Sequence, residues 1–124
     1  MPHSYLLQDW TTVTAGAGGT VKQGEDRYLD LSGYQDVAIY LDVGTATSGT
    51  VVEIDTSPNK EDAYFRSIAT FTSPSAGVTL PPTIVRWASA TTPLARFVRW
   101  RLTATGPWSA TFRLWLSCNQ AGGR

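Results

Sequence analysis

The sequence predicts an all-β fold: a single antiparallel β-sandwich, jelly-roll-like, of about eight strands. Three observations carry this. Apolar residues recur with period two along four long stretches. Clusters of Gly, Pro, Ser and Asn interrupt those stretches at short intervals. No segment carries an apolar stripe at helical spacing.

Taken along the chain, weak strand patterns cover Asp9–Thr14 and Arg27–Leu31. The first clear strand is 37–43, where Val37, Ile39, Leu41 and Val43 alternate with Ala38, Tyr40 and Asp42. In 51–57, Val52, Ile54 and Thr56 take one face, and Val51, Glu53 and Asp55 the other. Weaker patterns follow at Tyr64–Phe71 and Ile84–Ala88. In 97–104, Val98, Trp100, Leu102 and Ala104 face inward, opposite Phe97, Arg99, Arg101 and Thr103. In 110–118, Phe112, Leu114, Leu116 and Cys118 face inward, opposite Thr111, Arg113, Trp115 and Ser117. Turns are expected at 15–19, 32–33, 44–49, 57–62, 73–77, 80–82 and 105–108. The last turn is expected to close a hairpin whose outer face gathers Phe97, Arg99, Arg101, Arg113 and Trp115.

The 124 residues fit one domain, 1–124, with 1–8 and 119–124 read as extended arms. A chain of this size buries about two-thirds of its unfolded surface and needs no disulfide. Cys118 is the single cysteine, which suits a reducing compartment. The opening residues show no basic segment followed by an apolar one, so no signal peptide is expected. No apolar run approaches the ~20 residues of a membrane span, and no membrane partner is expected.

Charge is segregated. All ten acids lie in residues 1–62, beside Lys22, Arg27 and Lys60, whereas residues 63–124 hold seven arginines and no acid. Either the two halves interleave and pair within the fold, or the basic face of one copy meets the acidic face of another.

Catalytic chemistry has few candidates. His3, at a terminus read as mobile, is the only histidine, and with a single cysteine the chain shows neither a zinc-ligand set nor a nucleophile–histidine arrangement. The glycines of 16–24 lack the Gly-Lys-Ser/Thr ending of a phosphate loop. Asp55 and the acids of 59–62 lack the spacing of a calcium loop. No cofactor and no metal is expected, and the chain reads as a non-enzyme. Arginine beside aromatic residues can track nucleic acid, but a neutral chain of pI about 6.5 lacks the basic footprint, so that partner is disfavoured. Trp10, Trp108 and Trp115 are candidates for sugar stacking, or else Trp10 and Trp108 cap the two ends of the core.

Two long stretches, "EIDTSPNKEDAYFRSIATFTS" (53–73) and "PLARFVRWRLTATGPWSATFRLWLS" (93–117), resemble a pattern in small β-sandwich virion proteins of tailed bacteriophages and phage-like particles. "LDLSGYQDVAIYLDV" (29–43) fits as the preceding strand, so the resemblance covers roughly residues 27–117. Ala95 and Phe97 stand where that pattern has glycine and tyrosine. Discoidin-like carbohydrate- and lipid-binding sandwiches share a similar rhythm.

The resemblance implies a structural protein, a capsid decoration or minor capsid protein, in a virion assembled in the host cytoplasm. Its partners would be the major capsid or other virion proteins, and copies of itself as a homo-oligomer. Phe97, Arg99, Arg101, Arg113 and Trp115 are the interface candidates, and Asp30, Asp36, Asp42, Glu53 and Asp55 their complement. Reversing Arg99 and Arg101 to Glu is expected to leave the fold intact and prevent assembly. The alternatives are a carbohydrate-binding module and a tail or head–tail adaptor.

Overall fold

The computed structural model describes residues 2–72, 74, 77–78, 83–86 and 94–120. Ten strand segments form two five-membered antiparallel sheets. Sheet A holds β1 (Pro2–Ala15), β10 (Trp108–Gln120) and β4 (Tyr34–Ala46), with β7 (Gly77–Val78) and β8 (Thr83–Arg86) along one edge of β4. Sheet B holds β2 (Thr20–Lys22) and β3 (Leu29–Asp30) along one edge of β9 (Phe97–Thr103), then β5 (Val51–Ser57) and β6 (Arg66–Thr72).

Because β2 and β3 share a partner, and β7 and β8 share another, the ten segments fill eight lanes. In chain order, the first lane pairs with the eighth, the second with the seventh, the third with the sixth and the fourth with the fifth. That nesting is the jelly-roll arrangement.

Alternation explains the packing. Val37, Ile39, Leu41 and Val43 of β4 and Phe112, Leu114, Leu116 and Cys118 of β10 all point inward and are buried. Val98, Trp100 and Leu102 of β9 and Val52 and Ile54 of β5 meet them from sheet B. The Trp100 and Phe112 rings contact edge to face, with centroids 5.1 Å apart. Three turns among the described residues place a glycine with positive φ at their third residue: Gly18 in Gly16–Gly19, Gly33 in Leu31–Tyr34 and Gly49 in Thr47–Thr50.

The expected hairpin of the last two strands does not form. β9 and β10 lie in different sheets, and residues 104–107 carry the chain across the core. Each strand has one fully apolar face. Opposing those faces buries both, and each strand then takes neighbours on both sides within its own sheet. Trp108 ends this crossing buried, its indole N–H donating to the Gly19 carbonyl at 2.9 Å.

The ends also differ from the expectation. Residues 2–8 are strand, paired with β10 from Asn119 inward, and the side chain of Leu7 is buried in the core. The strand read at 27–31 shortens to Leu29–Asp30 behind a 3₁₀ turn at Glu25–Arg27. The strand read at 64–71 starts at Arg66, after a 3₁₀ turn at Asp62–Tyr64. Neither β2 nor β7 was expected, being too short to show alternation. The turn at 80–82 and residues 87–88 and 121–124 lie outside the described residues, as does most of 73–77.

Candidate functional site on the outer face of sheet A

The ten candidate interface residues do not share a surface. Phe97, Arg99 and Arg101 lie on the outer side of sheet B, whereas Arg113 and Trp115 lie on the outer side of sheet A. The physical reason is the crossing after β9, which places the two arginine-bearing faces on opposite sides of the sandwich.

On sheet B, the two 3₁₀ turns fold over the outer face of β9. Tyr28, Phe65 and Phe97 form a second buried cluster there. Arg99 is buried among them, its guanidinium carbon 3.8 Å from the Phe65 ring centroid. The guanidinium donates to the Tyr28 hydroxyl at 2.9 Å, to Asp62 at 2.7 Å and to Asp55 at 3.4 Å. Arg101 pairs with Glu53, its direct cross-strand neighbour, and approaches the buried Asp55 at 3.3 Å. Lys22 reaches Asp62 at 2.6 Å, and Arg96 holds Asp30 in a fork whose closest contact is 2.9 Å. The Arg96 and Ser32 donors keep the Asp30 carboxyl far below the usual carboxylate range. Lys22 and Arg99 do the same, less strongly, for Asp62.

These pairs decide between the two readings of the segregated charge for most of the candidates. The acids of the first half meet the arginines of the second half inside one chain, across lanes that the jelly roll makes adjacent. Phe97 and Arg99 are covered side chains, and Arg101, Glu53, Asp30 and Asp55 are engaged in pairs. Asp36 is half-exposed on β4, with Asn119 of β10 and Arg86 of β8 as its cross-strand neighbours.

The outer face of sheet A is different. Asp42 of β4 and Arg113 of β10 are cross-strand neighbours and form an ion pair, with Nε and Nη2 both donating to Oδ2, at 2.8 and 2.5 Å. The Arg113 guanidinium lies over two indoles, 5.0 Å from Trp10 and 5.9 Å from Trp115. Trp115 in turn has Leu6 of β1 on one side and Tyr40 of β4 on the other. Trp10 is 48% exposed and Leu6 41%, two of the three large apolar side chains left open among the described residues. A shallow concavity of about 400 Å³ lies beside this row, lined by Ser4, Tyr40, Asp42, Trp115, Leu116 and Ser117.

Sequence reasoning found Arg113, Trp115 and Asp42 of this face, and Trp10 as an exposed tryptophan. It missed Leu6, Tyr40, Ser4 and Ser117. The doublet Leu6–Leu7 was the available signal, because adjacent apolar residues in a strand cannot both face the core. Of the three tryptophans considered for sugar stacking, Trp108 is core and Trp10 and Trp115 share this outer face.

Neither a protein-family model nor a curated protein matches the chain. Solved structures do. The chain superposes on the PBSX exported protein XepA with a TM-score of 0.56 at 18% identity, over 98% of this chain and 38% of that one. It also superposes on a chain of infectious bursal disease virus, Gx strain, with a TM-score of 0.52 at 13% identity, over 100% of this chain and 34% of that one. The chain therefore spans well under half the length of either. At such identities the likeness is one of fold alone.

Proposed function

We propose that the chain is a non-enzymatic structural subunit of a phage or phage-like particle. In this reading it is a capsid decoration or minor capsid protein, bound through protein–protein contacts to the major capsid protein or other virion proteins and to copies of itself. The observation that carries the reading is the aromatic outer face of sheet A. Leu6, Trp10, Arg113 and Trp115 form a row of large side chains on a sheet whose opposite side is already core. Interface cores are enriched in aromatic residues and arginine, and their energy concentrates in a few such anchors. The fold likeness to the exported protein XepA and to a virus chain agrees with this.

Sedimentation velocity of the purified protein, alone and mixed with undecorated shells, tests it. The expected result is self-association or co-sedimentation that Trp10→Glu abolishes. A wild-type protein that stays monomeric and leaves shells bare would overturn the reading.

A further inference from the structure

The concavity beside the aromatic row has a composition that an interface patch does not require. Two of its walls are aromatic, Tyr40 and Trp115, and these are cross-strand neighbours on β4 and β10. Cross-strand neighbours stand about 5 Å apart at Cβ, so the two rings border one continuous apolar surface. Its other walls carry two hydroxyls, from Ser4 and Ser117, which are likewise neighbours across β1 and β10. No hydrogen bond among the described residues occupies either hydroxyl.

Asp42 is the third polar wall. Its side chain is 10% exposed, and both bonds from Arg113 end on Oδ2. No donor among the described residues reaches Oδ1. A carboxylate oxygen can accept from more than one donor, and Asp42 lines the concavity. Arg113 cancels the carboxylate's charge, so the site offers an acceptor without net charge. A phosphate or other anion finds no free cation among the lining residues, and a cation finds no free negative charge.

We infer that this concavity binds a neutral saccharide unit. Its volume, about 400 Å³, lies within the range of small-ligand sites, which pair apolar walls with a few placed polar groups. The C–H face of a pyranose would lie on the Tyr40 and Trp115 rings. Its hydroxyl edge would donate to Asp42 Oδ1 and exchange hydrogen bonds with Ser4 and Ser117. The inference adds a ligand to the particle-subunit reading; the two share Trp115 and the Arg113–Asp42 pair, whereas Trp10 and Leu6 lie outside the concavity and separate them.

The experiment is tryptophan fluorescence and saturation-transfer NMR on the whole protein, titrated with methyl glucoside, methyl galactoside, methyl mannoside and a panel of neutral oligosaccharides. At least one is expected to give a saturable change. Removing a stacking ring in Tyr40→Ala, or exchanging one Asp42 acceptor oxygen for an amide donor in Asp42→Asn, is expected to weaken it about tenfold or more, the worth of one good contact. Tyr40→Phe keeps the ring and is expected to retain binding, which separates lost stacking from lost folding. Trp10→Ala is expected to leave it unchanged. Response to an oligosaccharide but not to its monosaccharides would identify a glycan chain as the source rather than a free sugar. No saturable change with any neutral sugar, preference for a charged one, or equal binding by Tyr40→Ala would overturn the inference. Since self-association is read separately by sedimentation, either conclusion can fail without the other.

Discussion

Arg99 shows how far a residue's role can move between pattern and structure. By alternation it is an outward arginine on a solvated strand. In the fold it is buried, stacked on Phe65 and bonded to Tyr28, Asp55 and Asp62. Removing one partner of a buried pair leaves the other uncompensated, so Arg99→Ala is expected to cost about 3–5 kcal/mol in urea unfolding. The Arg99→Glu, Arg101→Glu double reversal is expected to unfold the domain rather than merely block assembly. It would set two new carboxylates against Asp55 and Glu53. Asp30 and Asp62 fix the pH response. Both carboxyls are held below their unfolded value of about 3.9, so the unfolded chain binds more protons in the acid range. Their contribution is full above about pH 4 and is lost as pH falls below it. The urea midpoint should therefore fall on acidification, and less so in Asp62→Asn. Cys118 has the opposite sign. Burial pushes its thiol up to about 11, so its contribution holds below the unfolded pKa of about 8.5 and is lost as pH rises. Native Cys118 should resist alkylation at pH 8 and react at the rate of unfolding. Rapid modification of folded protein would contradict this.

At the scale of elements, β1 carries the clearest test. Read from the sequence, residues 1–8 are an arm. In the structure, Leu7 is in the core, its carbonyl accepts from the buried Gln23 side chain at 2.8 Å, and the Tyr5 and Tyr34 hydroxyls bond each other. Leu7→Ala is expected to cost about 2–5 kcal/mol, and deletion of 1–8 more than that. A deletion variant with an unchanged melting temperature would restore the arm. The four strong strands were legible because each has a core side and an outer side, which writes a period of two into the sequence. β1 was legible only from Asp9 onward. Its register slips twice against β10, near Leu7 and again near Asp9 and Trp10, and each slip breaks the alternation. The 3₁₀ turns were hidden for another reason. Tyr28 and Phe65 look like strand residues, but they face back onto β9 from loops, so their burial has no local period.

For the whole molecule, the consequence concerns salt. Charge segregated along the chain suggested contacts between copies that high salt would dissolve. In the fold, ion pairs among the described residues engage half of that charge, five of the ten acids and five of the ten bases: Lys22–Asp62, Arg96–Asp30, Arg99 with Asp55 and Asp62, Arg101–Glu53 and Arg113–Asp42. Any association through the aromatic face is driven by apolar burial, which salt does not screen. Sedimentation at low and high salt is therefore expected to give the same association state. Dissociation at high salt would point instead to acids outside these pairs, such as Asp9 and Glu61.

The sequence by itself determined the class of fold, the inward residues of the four long strands and the shortage of catalytic side chains. Those properties are local: alternation, turn chemistry and composition are legible one segment at a time. Tertiary structure alone decided which strands share a sheet, and so which outward residues share a face. The crossing at 104–107 sent Arg99 and Arg101 to one side of the sandwich and Arg113 and Trp115 to the other. It brought Trp10 and Tyr40, 30 residues apart and both far from Arg113 in the chain, onto one surface with it. Alternation says that a side chain faces outward; only the order of the lanes says what lies beside it.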